Sequence, residues 1–350
     1  MRDMSEASEI SQNVFLGPTP EPDPNQTPIS EEMFDVCIET SDLAQVPEDR
    51  SLRLLSKSLQ DSERKPLHVE FPSSGSIMPP IWPQTDVDGL MAMCRWIYGL
   101  THSSNSEDSS PTTSIGDESL KDGDGDSIML STFATTSSSC SANEKRILIH
   151  CADGYTETSL LGLAYLMYAE GLPVHQAWVQ MHREKKRNFF AYQSDVALLT
   201  SIQPRILQES PAWNGDILRI NEPQWLTKID GSLPSRILPY MYLGNLGHAN
   251  NPSLLKELGI TRILSVGEPV SWTTEVMEEW GEDNLLFIDR VQDNGVDPLT
   301  EEFDRCLKFI EKGKLDNTAT LVHCRVGVSR SATICIAEVM NEMGLSFPRA

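Results

Sequence analysis

Apolar residues recur along the chain in two series with the same rhythm. In the first, residues 10–17 (ISQNVFLG) and 34–38 are short and strand-like. Residues 88–100 then set Leu90, Met91, Met93, Cys94 and Ile97 at helical spacing. The run at 147–149 predicts a buried strand, and residues 159–170 predict a helix apolar on nearly every face. Two more helices are expected over 174–187 and 194–207. The second series repeats the order. Residues 237–244 (ILPYMYLG), 263–266 and 285–288 read as strands. Residues 300–310, with Phe303, Leu307 and Ile310, read as a helix; Leu321 and Val322 enter a strand, and residues 331–343 form a further helix.

The two series align without a gap where they are most alike. Residues 147–177 (ILIHCADGYTETSLLGLAYLMYAEGLPVHQA) match residues 320–350 (TLVHCRVGVSRSATICIAEVMNEMGLSFPRA). His150 falls on His323, Cys151 on Cys324 and Gly154 on Gly327. The chain therefore reads as a tandem repeat of one α/β unit, each copy a central sheet flanked by helices. The first copy is expected over residues 8–208, a linker over 209–231 and the second copy over 232–350. Because the first copy continues past its match to Ala350, the second is expected to be incomplete at its C-terminus, and its last helix, apolar on more than one face, to be buried on most sides.

The loop between the last strand and helix of the second copy carries the chemistry. Its residues run His323-Cys324-Arg325-Val326-Gly327-Val328-Ser329-Arg330-Ser331. A loop entering a helix N-terminus aims backbone N–H groups and the positive end of the helix dipole at one point, which suits a phosphate dianion. Gly327 lets the backbone close around the anion, and Arg330 can grip two oxygens with its planar fork. The same field favours the Cys324 thiolate.

The pattern His-Cys-x-x-Gly-x-x-Arg-Ser resembles the signature of the cysteine-dependent protein tyrosine phosphatases, and its surroundings resemble the dual-specificity branch. The resemblance implies that Cys324 is the nucleophile, forming a cysteinyl-phosphate. It implies that Arg330 and the backbone of Arg325, Val326, Gly327, Val328 and Ser329 bind the phosphate oxygens. A hydroxyl at Ser331 would help the sulfur leave, and His323 would support the loop. A general acid is needed on the preceding loop, where Asp289, Asp293 and Asp297 are candidates. Members of the branch carry an Asp ten residues before the Phe that anchors the next helix, which from Phe303 selects Asp293. No metal and no cofactor is implied. With valines in the loop rather than lysines, phosphoprotein is the implied substrate class, as phosphotyrosine and phosphoserine or phosphothreonine.

The first copy lacks this machinery. Glu157 stands where Arg330 does, and Asp153 adds a second carboxylate, so a dianion would be repelled. Counting back from Met91, the match to Phe303, reaches Ile81 rather than an acid. The first copy thus reads as a pseudophosphatase with Cys151 a remnant. Its residues 150–161 (HCADGYTETSLL) resemble the degenerate first domain of a fungal tandem dual-specificity phosphatase family. The alternative is that the whole chain is an inactive, phosphatase-derived binding or scaffold module.

Composition narrows the setting. A formal charge of −23 disfavours nucleic acid and anionic membrane as partners. The basic run at 182–187 (HREKKR) is either a solvated helix end or a docking patch. Seven Cys without metal-like pairing suit a reducing compartment, and the first residues show no secretory h-region, so an intracellular protein, cytoplasmic or nuclear, is expected. Residues 102–142, rich in Ser, Thr, Asp and Gly, read as a disordered insertion. Neither the Asp-Gly run at 122–126 nor the sequon at Asn25 carries a site. Oligomeric state is not legible.

Overall fold

The computed structural model describes residues 6–20, 33–61, 66–76, 82–102, 144–185, 187–289, 291 and 299–350. The first series forms β1 (Ser8–Ser11), β2 (Val14–Pro18), β3 (Val36–Ser41), α1 (Asp49–Asp61), β4 (Leu67–Pro72), α2 (Gln84–Thr101), β5 (Ile147–Cys151), α3 (Ser159–Glu170), α4 (Val174–Arg183) and α5 (Gln193–Glu209). The second forms β6 (Ser235–Leu238), β7 (Met241–Gly244), α6 (Leu246–Ala249), α7 (Pro252–Glu257), β8 (Ile260–Val266), α8 (Thr274–Trp280), β9 (Leu285–Ile288), α9 (Phe303–Leu315), β10 (Ala319–His323) and α10 (Arg330–Met343). The stretch expected to be disordered, 102–142, falls from residue 103 outside the described residues, as do the Asp-Gly run, the sequon and Ile81.

The strands make two five-stranded sheets of one topology. Their orders are β1-β2-β5-β3-β4 and β6-β7-β10-β8-β9. Each opens on an antiparallel hairpin and continues with parallel strands. Even the irregularity is shared: Ser8 pairs Leu16 and Ser11 pairs Val14, while Ser235 pairs Leu243 and Leu238 pairs Met241. The strands that end in His150-Cys151 and His323 are central, β5 between β2 and β3, β10 between β7 and β8. Central parallel strands are covered on both faces, so their apolar residues run on without polar alternation.

Side chains alternate across the second sheet as a strand requires. Leu321 and Ile263 join the core shared with the first copy, whereas Val322 and Leu264 face a second core with Ile310 of α9 and Ile334 of α10. In the first copy α3 packs against α2, α4 and α5, and its residues from Ser159 to Ala169 are all buried. That encirclement is why its sequence is apolar all round. In the second copy α10 buries Ile334, Cys335 and Val339, whereas Ile336, Ala337 and Met340 are half-buried.

The segment between the sheets is not a free tether. Trp225, Leu226, Ile229 and Leu233 are buried, with Trp225 edge-on to Trp178, while Leu218 is exposed. In the basic run at 182–187, His182, Arg183 and Arg187 make tertiary contacts, although Arg183 is itself exposed. α4 stops at Arg183, four residues short of the expected end. His182 is buried with Nε2 2.6 Å from Pro234 O, and Arg183 Nη1 donates to Glu257 O at 2.8 Å. Arg187 turns inward to Ser8 Oγ at 3.0 Å and to Gly154 O. Among the described residues, no helix is long and apolar enough to cross a membrane.

Candidate active site

β10 delivers His323 and Cys324 to the C-terminal edge of the second sheet, and α10 begins six residues after the cysteine, at Arg330. The turn between them is tight. Gly327 has φ +88°, and a Cβ there would stand 2.7 Å from Gly244 O, so the site requires glycine twice over. Cys324 Sγ lies in a ring of donors: Ser331 Oγ donates to it at 3.1 Å and Gly327 N–H at 3.3 Å. Burial pushes the Cys324 thiol up, but the Ser331 hydroxyl and the N–H groups of Ser331, Gly327 and Ser329 outweigh it, leaving the thiol below its ordinary value.

Arg330 is buried and doubly held. Its Nη1 donates to Val291 O at 3.0 Å, and its Nη2 lies 3.1 Å from Glu268 Oε2. Gly267 at φ +91° makes room for it, since a Cβ there would overlap Arg330 Nη1. His323 has one tautomer consistent with its partners. Nδ1 faces Cys324 O at 3.4 Å and can only donate; Nε2 therefore accepts from Ser265 Oγ at 2.7 Å. Burial holds its pKa down to about 4, partly offset by that carbonyl, so the ring is neutral near pH 7. A neutral His323 is placed to hold the loop through these two hydrogen bonds.

The first copy has the same loop with the opposite electrostatics. Gly154, at φ +63°, packs on Gly17 as Gly327 packs on Gly244. The Gly154 N–H still reaches Cys151 Sγ at 3.2 Å. Here, though, the sulfur donates to Asp153 Oδ1 at 3.2 Å. Burial raises the Cys151 thiol, and the Asp153 hydrogen bond and charge raise it further. Thr158, the match to Ser331, is buried with its hydroxyl unpaired. The Glu157 carbonyl is sealed by Ser74 N–H at 2.9 Å and Ser74 Oγ at 2.8 Å.

The structure thus brings together Cys324, Arg330, Ser331 and His323 with the backbone of Arg325, Val326, Gly327, Val328 and Ser329. Val326 and Val328 are exposed on the rim. Asp293 and Asp297 lie outside the described residues; Asp289 follows β9 and lies on the same edge of the sheet. Glu268, Ser265 and Gly267 were not singled out from sequence. Gly-Glu closing a strand is a weak signal in so acidic a chain. No group of three or more His, Cys, Asp or Glu that could hold a metal ion occurs among the described residues.

Residues 241–350 match the family described as dual specificity phosphatase, catalytic domain. The chain is 29% identical to dual specificity protein phosphatase PPS1 of Saccharomyces cerevisiae over 89% of its own length and 44% of that protein's. It is 34% identical to dual specificity protein phosphatase 1 of Arabidopsis thaliana over 35% of this chain and 58% of the relative. The crystal structure of DUSP15 is 30% identical over 33% of this chain and 70% of that one, with a TM-score of 0.29. The chain therefore spans about half the length of these two curated relatives.

Proposed function

We propose, from the match of residues 241–350 to the dual specificity phosphatase catalytic domain family, that the chain hydrolyses phosphotyrosine and phosphoserine or phosphothreonine in proteins. Residues 232–350 act as the catalytic domain, residues 8–208 as a pseudophosphatase domain and residues 209–231 as the linker. The observation that carries this reading is the opposite treatment of two matched cysteines. The field at Cys324 favours thiolate, and the field at Cys151 opposes it.

Cys324 Sγ attacks phosphorus in line with the leaving oxygen, and the P–O bond to the substrate breaks as the S–P bond forms. Arg330 and the loop N–H groups hold the three equatorial oxygens, where charge accumulates. Asp293 donates the proton to the leaving oxygen. Water then attacks the cysteinyl-phosphate as the Asp293 carboxylate takes its proton, the S–P bond breaks, and Ser331 Oγ stabilises the departing thiolate. Glu268 keeps Arg330 aimed into the loop. All of this is thiolate chemistry, which suits a reducing, intracellular compartment. The acidic surface favours phosphoprotein over nucleic acid or anionic membrane.

The test is turnover of an aryl phosphate and of a phosphopeptide by the full chain. Cys324→Ser and Arg330→Lys should each abolish hydrolysis, and Cys151→Ser should leave it near wild type. Turnover surviving Cys324→Ser would overturn the assignment, and a wild-type chain that binds but never hydrolyses phosphopeptide would make it a binding module instead.

A further inference from the structure

We infer that Asp230 and His248 are positioning residues through which the first copy sets the shape of the phosphate loop in the second. The inference rests on the phosphatase reading, and it assigns the first copy a task in that reaction.

The loop leans on the backbone that follows β7. Leu246 N–H donates to Arg325 O at 3.3 Å, and Gly327 sits so close that an added Cβ would be 3.2 Å from Asn245 N. Any shift of residues 244–246 is therefore passed to the amides that face Cys324 Sγ. What holds residues 244–246 is α6 and its cap. Asn245 Oδ1 accepts from His248 N–H at 2.8 Å, and Asn245 N–H donates to His248 Nδ1 at 3.2 Å. Since Nδ1 accepts, the ring proton is on Nε2, which donates to Ser232 O at 3.0 Å. Asn245 Nδ2 donates to Asp230 Oδ2 at 3.0 Å. The other carboxylate oxygen of Asp230 accepts from Ser232 N–H at 3.1 Å and Ser232 Oγ at 2.7 Å, which closes the turn. Residues 230–232 thus grip α6 by two side chains.

Those three residues, the end of the linker and the first residue of the second copy, are anchored on the first copy. Ala191 N–H donates to Gly231 O at 2.8 Å, Phe190 bridges Ser232, and Gln193 Nε2 donates to Ile229 O at 2.6 Å. Ile229 and Trp225 are buried in the apolar cluster that contains Trp178. Gly231 has φ +101°, and a Cβ there would stand 2.6 Å from Ala191 O. The same stretch reaches the degenerate loop, through Arg187 to Gly154 O. A contiguous route, part hydrogen bonds and part covalent chain, therefore runs from the loop of the first copy through residues 187–191 and 230–232 to α6 and on to Arg325 of the second. Contiguity makes coupling physically available, and only a measured effect on the loop makes it real.

The experiment uses the full chain and two readouts. One is the pH midpoint for alkylation of Cys324 by iodoacetamide, followed by mass spectrometry of its peptide, which reports the loop's field without turnover. The other is kcat and KM for an aryl phosphate. Asp230→Ala cuts the grip on α6, and Gly231→Ala pries residues 230–232 from the first copy without touching α6. Both should raise the Cys324 midpoint by about half a unit or more and lower kcat by about tenfold, with KM nearly unchanged. Asp216→Ala, an exposed acid on the same segment, should match wild type. His248→Gln, whose amide can still donate to Ser232 O, should retain more activity than His248→Ala; this pair decides the matter if Gly231→Ala fails to fold. Wild-type midpoints and kcat in Asp230→Ala, with no difference between the two His248 variants, would overturn the inference. A wild-type chain without turnover would overturn the phosphatase reading alone, because the alkylation midpoints would still report whether the first copy shapes the loop.

Discussion

Ser331 Oγ donates to Cys324 Sγ across 3.1 Å, whereas Thr158, at the matching place in the first copy, is buried with its hydroxyl unpaired. One hydrogen bond to a charged acceptor is worth about 1.5–3 kcal/mol, or roughly one to two pKa units when it favours only the thiolate. Ser331→Ala should therefore raise the midpoint of Cys324 alkylation by about a unit. It should also slow breakdown of the cysteinyl-phosphate more than its formation, which appears as a burst of the phenol product followed by a slow steady state. A variant without a burst and with an unchanged midpoint would leave Ser331 a packing residue.

Gly267 offers a test that touches no reacting group. Its φ of +91° and the overlap of any Cβ with Arg330 Nη1 mean that Gly267→Ala must push the guanidinium aside. A displacement of about 1 Å in a positioned group can cost about a hundredfold in rate. The strain itself costs about 1–3 kcal/mol, which a stable fold survives. The expected result is a loss of activity approaching that of Arg330→Lys, with the far-ultraviolet spectrum unchanged. Activity within about threefold of wild type would mean that Arg330 does not need the pose seen here.

Much of this was legible in the chain, and what was not has identifiable causes. The match of residues 147–177 to 320–350 foretold two sheets, and the order of strands is indeed identical in both. The helix at Ser159–Glu170 was readable to the residue because a helix apolar all round has few other interpretations. β4 was missed although Leu67, Val69 and Phe71 alternate with polar residues, and α1 was missed because it is largely polar, with Leu52 its one fully buried side chain among those described. The end of α4 was misplaced for a tertiary reason: Arg187 has left the helix to reach Ser8 Oγ and Gly154 O. In the site, Cys324, Gly327, Arg330 and Ser331 announced themselves by spacing. Glu268 could not, since its role exists only once β8 is laid beside β10.

Stability should fall with acid through His182. Burial holds its pKa down to about 4, partly offset by Pro234 O, against an ordinary value of 6.5. The unfolded chain therefore binds the proton first, so the contribution is complete above pH 6.5 and is lost as pH falls toward 4. At pH 5 the loss from this residue is about 2 kcal/mol. His323 acts in the same direction, and Asp195, raised by burial to about 6, acts in the opposite one. The clean measurement is thus a difference. Between pH 7.5 and 5, urea unfolding of wild type should lose about 2 kcal/mol more than that of His182→Gln. Parallel pH profiles would show that His182 is not buried neutral at the junction.

The two matched cysteines should differ most plainly toward oxidants. Peroxide and alkylating reagents react with thiolate, so their order of attack follows thiolate fraction. Burial drives Cys94 and Cys306 up to about 12, which leaves almost no thiolate at neutral pH. Cys151 is raised by burial and by Asp153, and Cys324 alone among these is lowered. Cys324 should therefore be modified first at pH 7, and inorganic phosphate or vanadate should protect it by occupying the loop. Asp153→Asn removes the charge that suppresses Cys151 while keeping the side chain's volume, so labelling of Cys151 should accelerate without any gain in hydrolysis, because Glu157 still stands where a guanidinium is needed. Mass spectrometry that finds Cys151 or Cys306 modified ahead of Cys324 in the wild-type chain would refute the field described for the loop. Labelling of Cys151 that ignores Asp153→Asn would show that burial, and not the carboxylate, keeps that thiol inert.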